Sequence, residues 1–446
     1  MKVAIIGTGY VGLVSGVCLA SKGHDVTCVD INLEVVKKLN HGIPTIYEKD
    51  IESHLKKSIE DNKFRATNNL DEALNLTSIV IIAVSTPSSN GSIDLSYIKK
   101  VCQELGRYIA KTDRFIAVVV KSTVVPGTTD TLVREELEKN SLKKLGEFGL
   151  GMNPEFLREG NAIADFNNPD RIILGYETDK TLSLMKELYE PWNVKKITVN
   201  TRTAELIKYV NNTLLATQVS TVNEIANLAS SLGGIDIMEV IKGVHLDKRW
   251  SPIIDNVRTY PEILKYHIPG CGFGGSCFPK DLEALRYQGN FLGLKMNMIN
   301  AVLDVNKEQP HQVVKMLESD IGSLSKKKIL MLGLAFKPET DDVRESPAIK
   351  ILSDLIDKHA FVKAHDPVAI ENFKNNMKTI SKEVNFINNW RENVAESDII
   401  IIATPWMEYS SLADCEIKGK IIFDAKRAFS PEYFNSAIYR SIGMRV

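Results

Sequence analysis

Six cysteines among 446 residues are too few and too scattered to frame a disulfide-built fold. Only Cys271 and Cys277 lie close together, and no set of His and Cys has zinc spacing, so no metal is expected. No apolar run reaches the length that crosses a bilayer. Charge of one sign is lacking as well: 55 Lys and Arg face 56 Asp and Glu, a formal net charge of -1. That balance supplies no basic surface for nucleic acid or an anionic membrane. An apolar strand begins at Lys2, which leaves no room for a signal peptide and makes a cytoplasmic protein the expectation. What remains is a globular balance, 44% hydrophobic and 25% charged, in a chain too long for one core.

The N-terminus carries the first chemical signal. Val3–Ile6 reads as a strand, Gly7-Thr8-Gly9-Tyr10-Val11-Gly12 as a turn, and the run to Ser21 as a helix. A second strand, Asp25–Val29, ends at Asp30, which lies 18 residues beyond Gly12. Gly7 permits a tight turn, Gly9 lets a pyrophosphate rest on backbone N–H groups, and Gly12 permits close helix packing. Asp30 would accept bonds from the adenine ribose hydroxyls and repel a 2′-phosphate, which favours NAD over NADP. Apolar strands at Ser78–Val84 and Phe115–Val120 end in small polar residues, so Thr86, Pro87 and Thr123 are candidates for the nicotinamide side, or simply turn the chain.

From Thr201 to Ser231 the pattern is one long helix without internal Gly or Pro. Lys208 and Asn212 fall four residues apart on one face, although Asn211 and Asn212 also suit a solvated surface. Amphipathic helices of this length between sheet domains often carry a dimer interface. Past the middle, Gly270-Cys271-Gly272-Phe273-Gly274-Gly275-Ser276-Cys277 puts four glycines in six positions ahead of a cysteine, with Asp281 four residues on. Glycine-rich backbone can approach a ligand closely, and a cysteine at the start of a helix near Pro279 suits a nucleophile. A half-buried thiol beside an ordinary turn is the competing reading. A fresh strand near Lys328 opens a second α/β alternation without the full glycine pattern, and Lys337, Arg344 and Arg427 at its strand ends suit a phosphorylated ligand. The expected fold is therefore α/β, with two Rossmann-like parallel-sheet domains (1–199 and 319–446) joined by a central helical and cysteine-bearing region (200–318).

Taken together, these stretches resemble the UDP-glucose/GDP-mannose dehydrogenase family over essentially the whole chain. The resemblance rests on the Gly7–Gly12 turn, Lys121-Ser122-Thr123, Asn153-Pro154-Glu155-Phe156-Leu157-Arg158-Glu159-Gly160, Gly272–Asp281 and Gly333-Leu334-Ala335-Phe336-Lys337-Pro338. It implies an NAD-dependent, four-electron oxidation of a nucleotide-sugar alcohol to a carboxylate, with Cys277 forming a thiohemiacetal and then a thioester. The Gly-rich wording is similar to the UDP-glucose branch; GDP-mannose or an N-acetylated UDP-hexose is the alternative substrate, and a non-catalytic NAD-binding dimer is the alternative of another class. By the same resemblance, Lys208 and Asn212 polarise the C6 oxygen, Asp281 and Thr123 hold a water, and Glu155 does acid/base work. Either Lys208 or an Asp281-held water takes the first proton.

Phe156, Leu157, Phe273, Gly274, Lys337 and Arg427 are implied on the substrate side. Gly7, Gly9, Tyr10, Val11, Gly12, Asp30, Thr86, Pro87, Thr123, Glu159 and Arg344 are implied on the cofactor side, in a homodimer built on the central helix. The chain departs from the family pattern twice. Asp247-Lys248-Arg249 is followed by extra residues before Cys271, so Arg249 or Arg258 is the arginine that reaches substrate. Val124-Val125-Pro126-Gly127 permutes the usual order after Thr123, so that loop bends differently. Cys277→Ser is expected to bind NAD and nucleotide-sugar yet stall before net acid production. Normal uronate output from that variant, measured chromatographically, would overturn the covalent route.

Overall fold

The apolar runs become inner strands because both their faces are covered: Ile79–Ile82 and Ala117–Val120 are buried at every position. The computed structural model describes residues 1–89 and 91–445 in two units, Met1–Asn211 and Asn212–Val446. In the first unit eight strands lie in the order Lys196–Val199, Ile172–Tyr176, Gly149–Met152, Ala117–Val120, Ile79–Ile82, Lys2–Ile6, Asp25–Val29, Phe64–Thr67. Pairing is parallel from Phe64–Thr67 through Gly149–Met152. Gly149–Met152 then pairs antiparallel with Ile172–Tyr176, so the sheet is mixed rather than wholly parallel. A charged loop and the short helix Ala162–Asn167 connect those two strands, in place of the long crossover helix that packs a parallel return. The strand order reverses beside Lys2–Ile6, and the Gly7 turn stands at that switch point.

The glycines of this turn answer to different constraints. Gly7 has φ +97°, and a Cβ there would stand 2.7 Å from the Ala83 carbonyl oxygen. At Gly12 a Cβ would fall 1.9 Å from the Gly7 carbonyl oxygen, so the helix Tyr10–Ser21 presses on its own entry turn. Gly9 differs, since nothing lies within 4 Å of where its Cβ would be. No part of the described protein requires glycine there; the free space is what a ligand's backbone approach needs.

In the second unit the sheet order is Ile235–Asp236, Met444–Arg445, Ile438–Ser441, Ile421–Asp424, Ile399–Ile402, Lys328–Leu332, Phe361–His365, Asn385–Phe386. The six strands from Ile438–Ser441 to Asn385–Phe386 are parallel, and the last two on the other side fold back antiparallel. Gly333 repeats the φ +97° of Gly7 at the equivalent strand end. Here the acid after the second strand, Asp366, accepts from Leu334 and Ala335 N–H at 2.8 and 3.1 Å and is itself buried. Two Rossmann-like sheets are thus linked by helices, as the alternation of elements predicts.

The linking helix Thr201–Leu232 is a single element of 32 residues. Asn200 receives the Thr203 N–H at 2.8 Å at its start, and Gly233 and Gly234 take positive φ just past its end. Its buried face carries polar groups, Glu205, Lys208, Asn212 and Asn223. Leu214, Ile225, Leu228 and Leu232 are exposed on it. The next helical stretch breaks into Phe278–Phe291 and Asn297–Ile321. The extra residues after Arg249 form a hairpin, Ile253–Ile254 with Val257–Arg258, turned by Asp255 and Asn256 at positive φ.

Gly12→Ala should lower stability by about 3 kcal/mol, because a backbone oxygen cannot give way to the added carbon. Gly9→Ala should stay within about 0.5 kcal/mol of the parent. Urea midpoints measured on both variants check the contrast, and equal losses would contradict it.

Candidate active site

In the first unit the Asn153–Gly160 loop leaves the strand Gly149–Met152 and brings Glu155 to Lys208. Their ion pair is 2.8 Å long with side chains only 6% and 5% exposed. Burial opposes the charge on Glu155, but Lys208, the Leu157 N–H at 2.7 Å and Lys121 outweigh it and hold the carboxyl below its usual range. Phe156 lies between two cations, with the Arg171 guanidinium 4.0 Å and the Lys208 ammonium 5.6 Å from its ring centre. Arg171 also reaches the Asn211 amide oxygen at 3.1 Å.

Glu205, seven residues before Asn212 on the long helix and given no role by any motif, lies one turn before Lys208 and is completely buried. Its carboxylate accepts from the N–H groups of Gly127 and Thr129 at 2.6 and 2.8 Å, which ties the permuted loop after Thr123 to the long helix. Burial pushes this carboxyl up to about 7, against the pull of those donors. A Glu three residues before Lys208 on the same helix was the available signal. Thr123 is fixed through its carbonyl, which accepts the Thr86 hydroxyl at 2.9 Å. Pro87 is exposed beside them.

At the nucleotide turn, Asp30 accepts the Thr8 N–H at 3.2 Å, the Thr8 hydroxyl and the Asn32 N–H at 2.9 Å. The acid is thus oriented at its strand end and remains partly exposed. Tyr10 spends its hydroxyl on buried Glu48, which also accepts the Gly160 and Ala162 N–H groups at 2.7 and 2.8 Å. Tyr10 therefore braces the loop that carries Glu155, while its backbone opens the helix; Val11 follows in the same turn. Glu48 had no motif to mark it. Leu157 and Glu159 are half-buried on that loop.

In the second unit Cys277 stands at the N-cap of Phe278–Phe291, with Pro279 in the first turn as expected. Its Sγ is 3.6 Å from the Ser276 hydroxyl. Asp281, 1% exposed, accepts the Asn212 amide N–H at 2.7 Å and the Lys280 ammonium at 2.9 Å. Asn212 is buried, which removes the surface reading. The glycines ahead of Cys277 serve the protein's own packing: a Cβ at Gly274 would stand 2.2 Å from the Glu345 carbonyl oxygen, and one at Gly275 2.8 Å from the Phe336 ring. Asn306, also unmarked in the sequence, clamps Phe273 through its N–H at 2.7 Å and its carbonyl at 3.0 Å.

The basic residues sort themselves by what they hold. Arg427 is buried against Asp236 at 2.5 Å and the Ser441 hydroxyl at 2.8 Å, so its guanidinium is engaged inside the protein. Arg344 is exposed and forks onto Asp342 at 2.7 Å, and Lys337 is half-buried beside Phe336. Arg258 fastens the extra hairpin to the Leu246 and Ser251 carbonyls at 2.9 Å each. Arg249 has an 88% exposed side chain with Asp247 as its neighbour. Between the two alternatives, Arg249 is the one whose side chain extends into solvent.

Comparison with known proteins decides the family. Residues 1–193 match the NAD binding domain of the UDP-glucose/GDP-mannose dehydrogenase family, residues 202–308 its central domain and residues 330–431 its UDP binding domain. The chain belongs to the UDP-glucose/GDP-mannose dehydrogenase family. As a member it is an NAD-dependent nucleotide-sugar dehydrogenase. It is similar to a UDP-glucose 6-dehydrogenase of Bacillus subtilis, 36% identical over 99% of this chain and 93% of that protein. A solved UDP-glucose dehydrogenase from Pyrobaculum islandicum superposes with TM-score 0.89 at 36% identity, covering 99% of this chain and 97% of the other. A UDP-D-ManNAc dehydrogenase from Pyrococcus horikoshii gives TM-score 0.81 at 28% identity, over 99% of each chain.

Glu205 generates a stability prediction. The folded state holds its proton more tightly than the ordinary value of 4.5, so the fold loses stability as pH rises from there to about 7. Relative to Glu205→Gln, the parent should lose up to about 3 kcal/mol across that window. Denaturant melts of both proteins at a series of pH values check this, and a constant difference would contradict it.

Proposed function

We propose that this dehydrogenase oxidises UDP-glucose at C6 to UDP-glucuronate in two NAD-dependent steps. The observation that carries the reading is Cys277 at the head of a helix whose first turn holds Asp281 against buried Asn212. The substrate is taken from the relatives, since the Bacillus subtilis and Pyrobaculum islandicum proteins are both named for UDP-glucose.

The residues of the first unit fit NAD: Gly9 leaves space for a pyrophosphate and Asp30 is oriented at the strand end for ribose hydroxyls. When bound, NAD accepts the hydride of each oxidation. Lys208 and Asn212 polarise the C6 oxygen and stabilise negative charge on it. The first proton passes to Lys208 or to a water. Asp281, with both oxygens engaged by Asn212 and Lys280, suits the orienting role. The Cys277 sulfur adds to the aldehyde carbon; loss of the second hydride leaves a thioester, and water attacks it, breaking the C–S bond and releasing carboxylate and thiol. Glu155 handles a proton of that hydrolysis, and Thr123 helps hold the water. Exposed Leu214, Ile225, Leu228 and Leu232 support a homodimer through the long helix.

NADH formed per sugar tests the whole reading, with UDP-glucose, GDP-mannose, UDP-N-acetylglucosamine and UDP-N-acetylmannosamine offered separately. Two NADH per UDP-glucose is expected, with the other three inert. One NADH per sugar would remove the cysteine steps. Turnover of another sugar would move the specificity and keep the mechanism.

A further inference from the structure

Lys121 ends the buried strand Ala117–Val120 and is itself only 4% exposed. Its ammonium donates to the Asn153 amide oxygen at 2.7 Å and faces the Phe166 ring, 5.6 Å from its centre. The same Asn153 oxygen accepts the Tyr189 hydroxyl at 2.5 Å, and its amide N–H bonds the Ile173 carbonyl at 2.8 Å. Asn153 begins the loop that delivers Glu155, so the lysine grips the root of that loop. Electrostatically it is coupled to Glu155 and to Lys208. A lone lysine of mere packing value is an expensive choice in such a place, where Met fills the same volume without a charge to desolvate.

We propose that Lys121 is a positioning residue whose buried positive charge, through the Asn153 loop, keeps Glu155 ionised and eases loss of the proton from Lys208. The catalytic side of this rests on the roles given above to Glu155 and Lys208. Burial brings the Lys121 amine down to about 8, with Lys208 adding to the fall and Glu155 opposing it, so the group is charged at neutral pH. Two ammonium groups then face one carboxylate, and the surplus positive charge favours an anionic oxygen on the substrate. Among the described residues, the Tyr189 phenol and the Arg171 guanidinium over Phe156 also stand beside the cluster.

Lys121→Gln tests it, because the amide can still donate to Asn153 while the charge is gone. NADH formation from UDP-glucose should show kcat down about tenfold or more with KM changed less than about threefold. Removing a nearby cation raises the pKa of each base in the cluster, so the acid limb of kcat/KM should move to higher pH by about half a unit or more. A loss equal at every pH would make Lys121 merely structural and overturn the proposal, as would an unchanged profile. Lys121→Arg, which keeps the charge, should return the acid limb to its parental position; failure to do so also counts against it. Melting temperature against pH provides a readout free of turnover. Because the folded-state pKa of Glu155 rises toward its unfolded value in Lys121→Gln, the acid loss of stability it contributes should be smaller there and end at a higher pH than in the parent, and coincident acid transitions would overturn the proposal even in active protein. If no nucleotide-sugar is oxidised but those transitions separate, the substrate reading fails and Lys121 stands.

Discussion

The ion pair between Glu155 and Lys208 is the constraint to which much of the first unit conforms. Two charges almost wholly removed from water cost several kcal/mol each in hydration, and a single 2.8 Å contact returns that only if the remaining donors and acceptors are supplied. The protein supplies them. The Leu157 N–H bonds the carboxylate, Phe156 offers its face to the lysine, and Lys121 sits behind the loop with its own buried charge. Glu48, Tyr10 and Asp165 then hold the far end of the same loop, through Gly160, Ala162 and Arg158. This loop of charged residues is therefore held by specific partners along its length.

The long helix meets a related demand by an unusual use of its buried face. Where an ordinary amphipathic helix buries leucine, this one buries Glu205, Lys208, Asn212 and Asn223 and exposes Leu214, Leu228 and Leu232. Each buried group has a specific polar duty: Glu205 gathers the N–H groups of Gly127 and Thr129, Asn212 bonds Asp281, and Asn223 accepts the Gly270 N–H at 2.8 Å. A pattern of this kind makes the helix a spine to which loops are fastened from outside. It also leaves Leu214, Ile225, Leu228 and Leu232 facing water.

The glycines separate ligand requirements from folding requirements. Gly12, Gly274 and Gly275 are demanded by backbone or ring atoms of the protein itself, at distances no side chain could share. Among the described residues nothing demands glycine at position 9, where an added Cβ would meet open space. The two sheets carry the same comparison at larger scale: Asp30 is oriented and partly exposed, while its counterpart Asp366 is buried and consumed by Leu334, Ala335 and Trp406. One turn design thus leaves its acid partly exposed in the first unit and engaged by the protein's own donors in the second.

Sequence by itself determined the elements whose signal is local. Apolar runs bounded by Gly and polar residues specify the inner strands, since a strand covered on both faces must be apolar throughout; the Gly7–Asp30 spacing specifies the dinucleotide turn, and uninterrupted helix-forming sequence specifies Thr201–Leu232. The motifs also brought Cys277, Asp281, Lys208, Asn212 and Glu155 into view. Short strands of mixed polarity such as Phe64–Thr67 and Lys196–Val199 were not legible, because pairing with a neighbour rather than their own composition makes them strands. For the same reason the antiparallel step after Met152 could not be read, nor the burial of Arg427. Only tertiary structure decided what Glu205, Glu48, Asn306 and Lys121 do: each is an ordinary polar residue until chain segments distant in sequence present it with partners and exclude the water it would otherwise prefer.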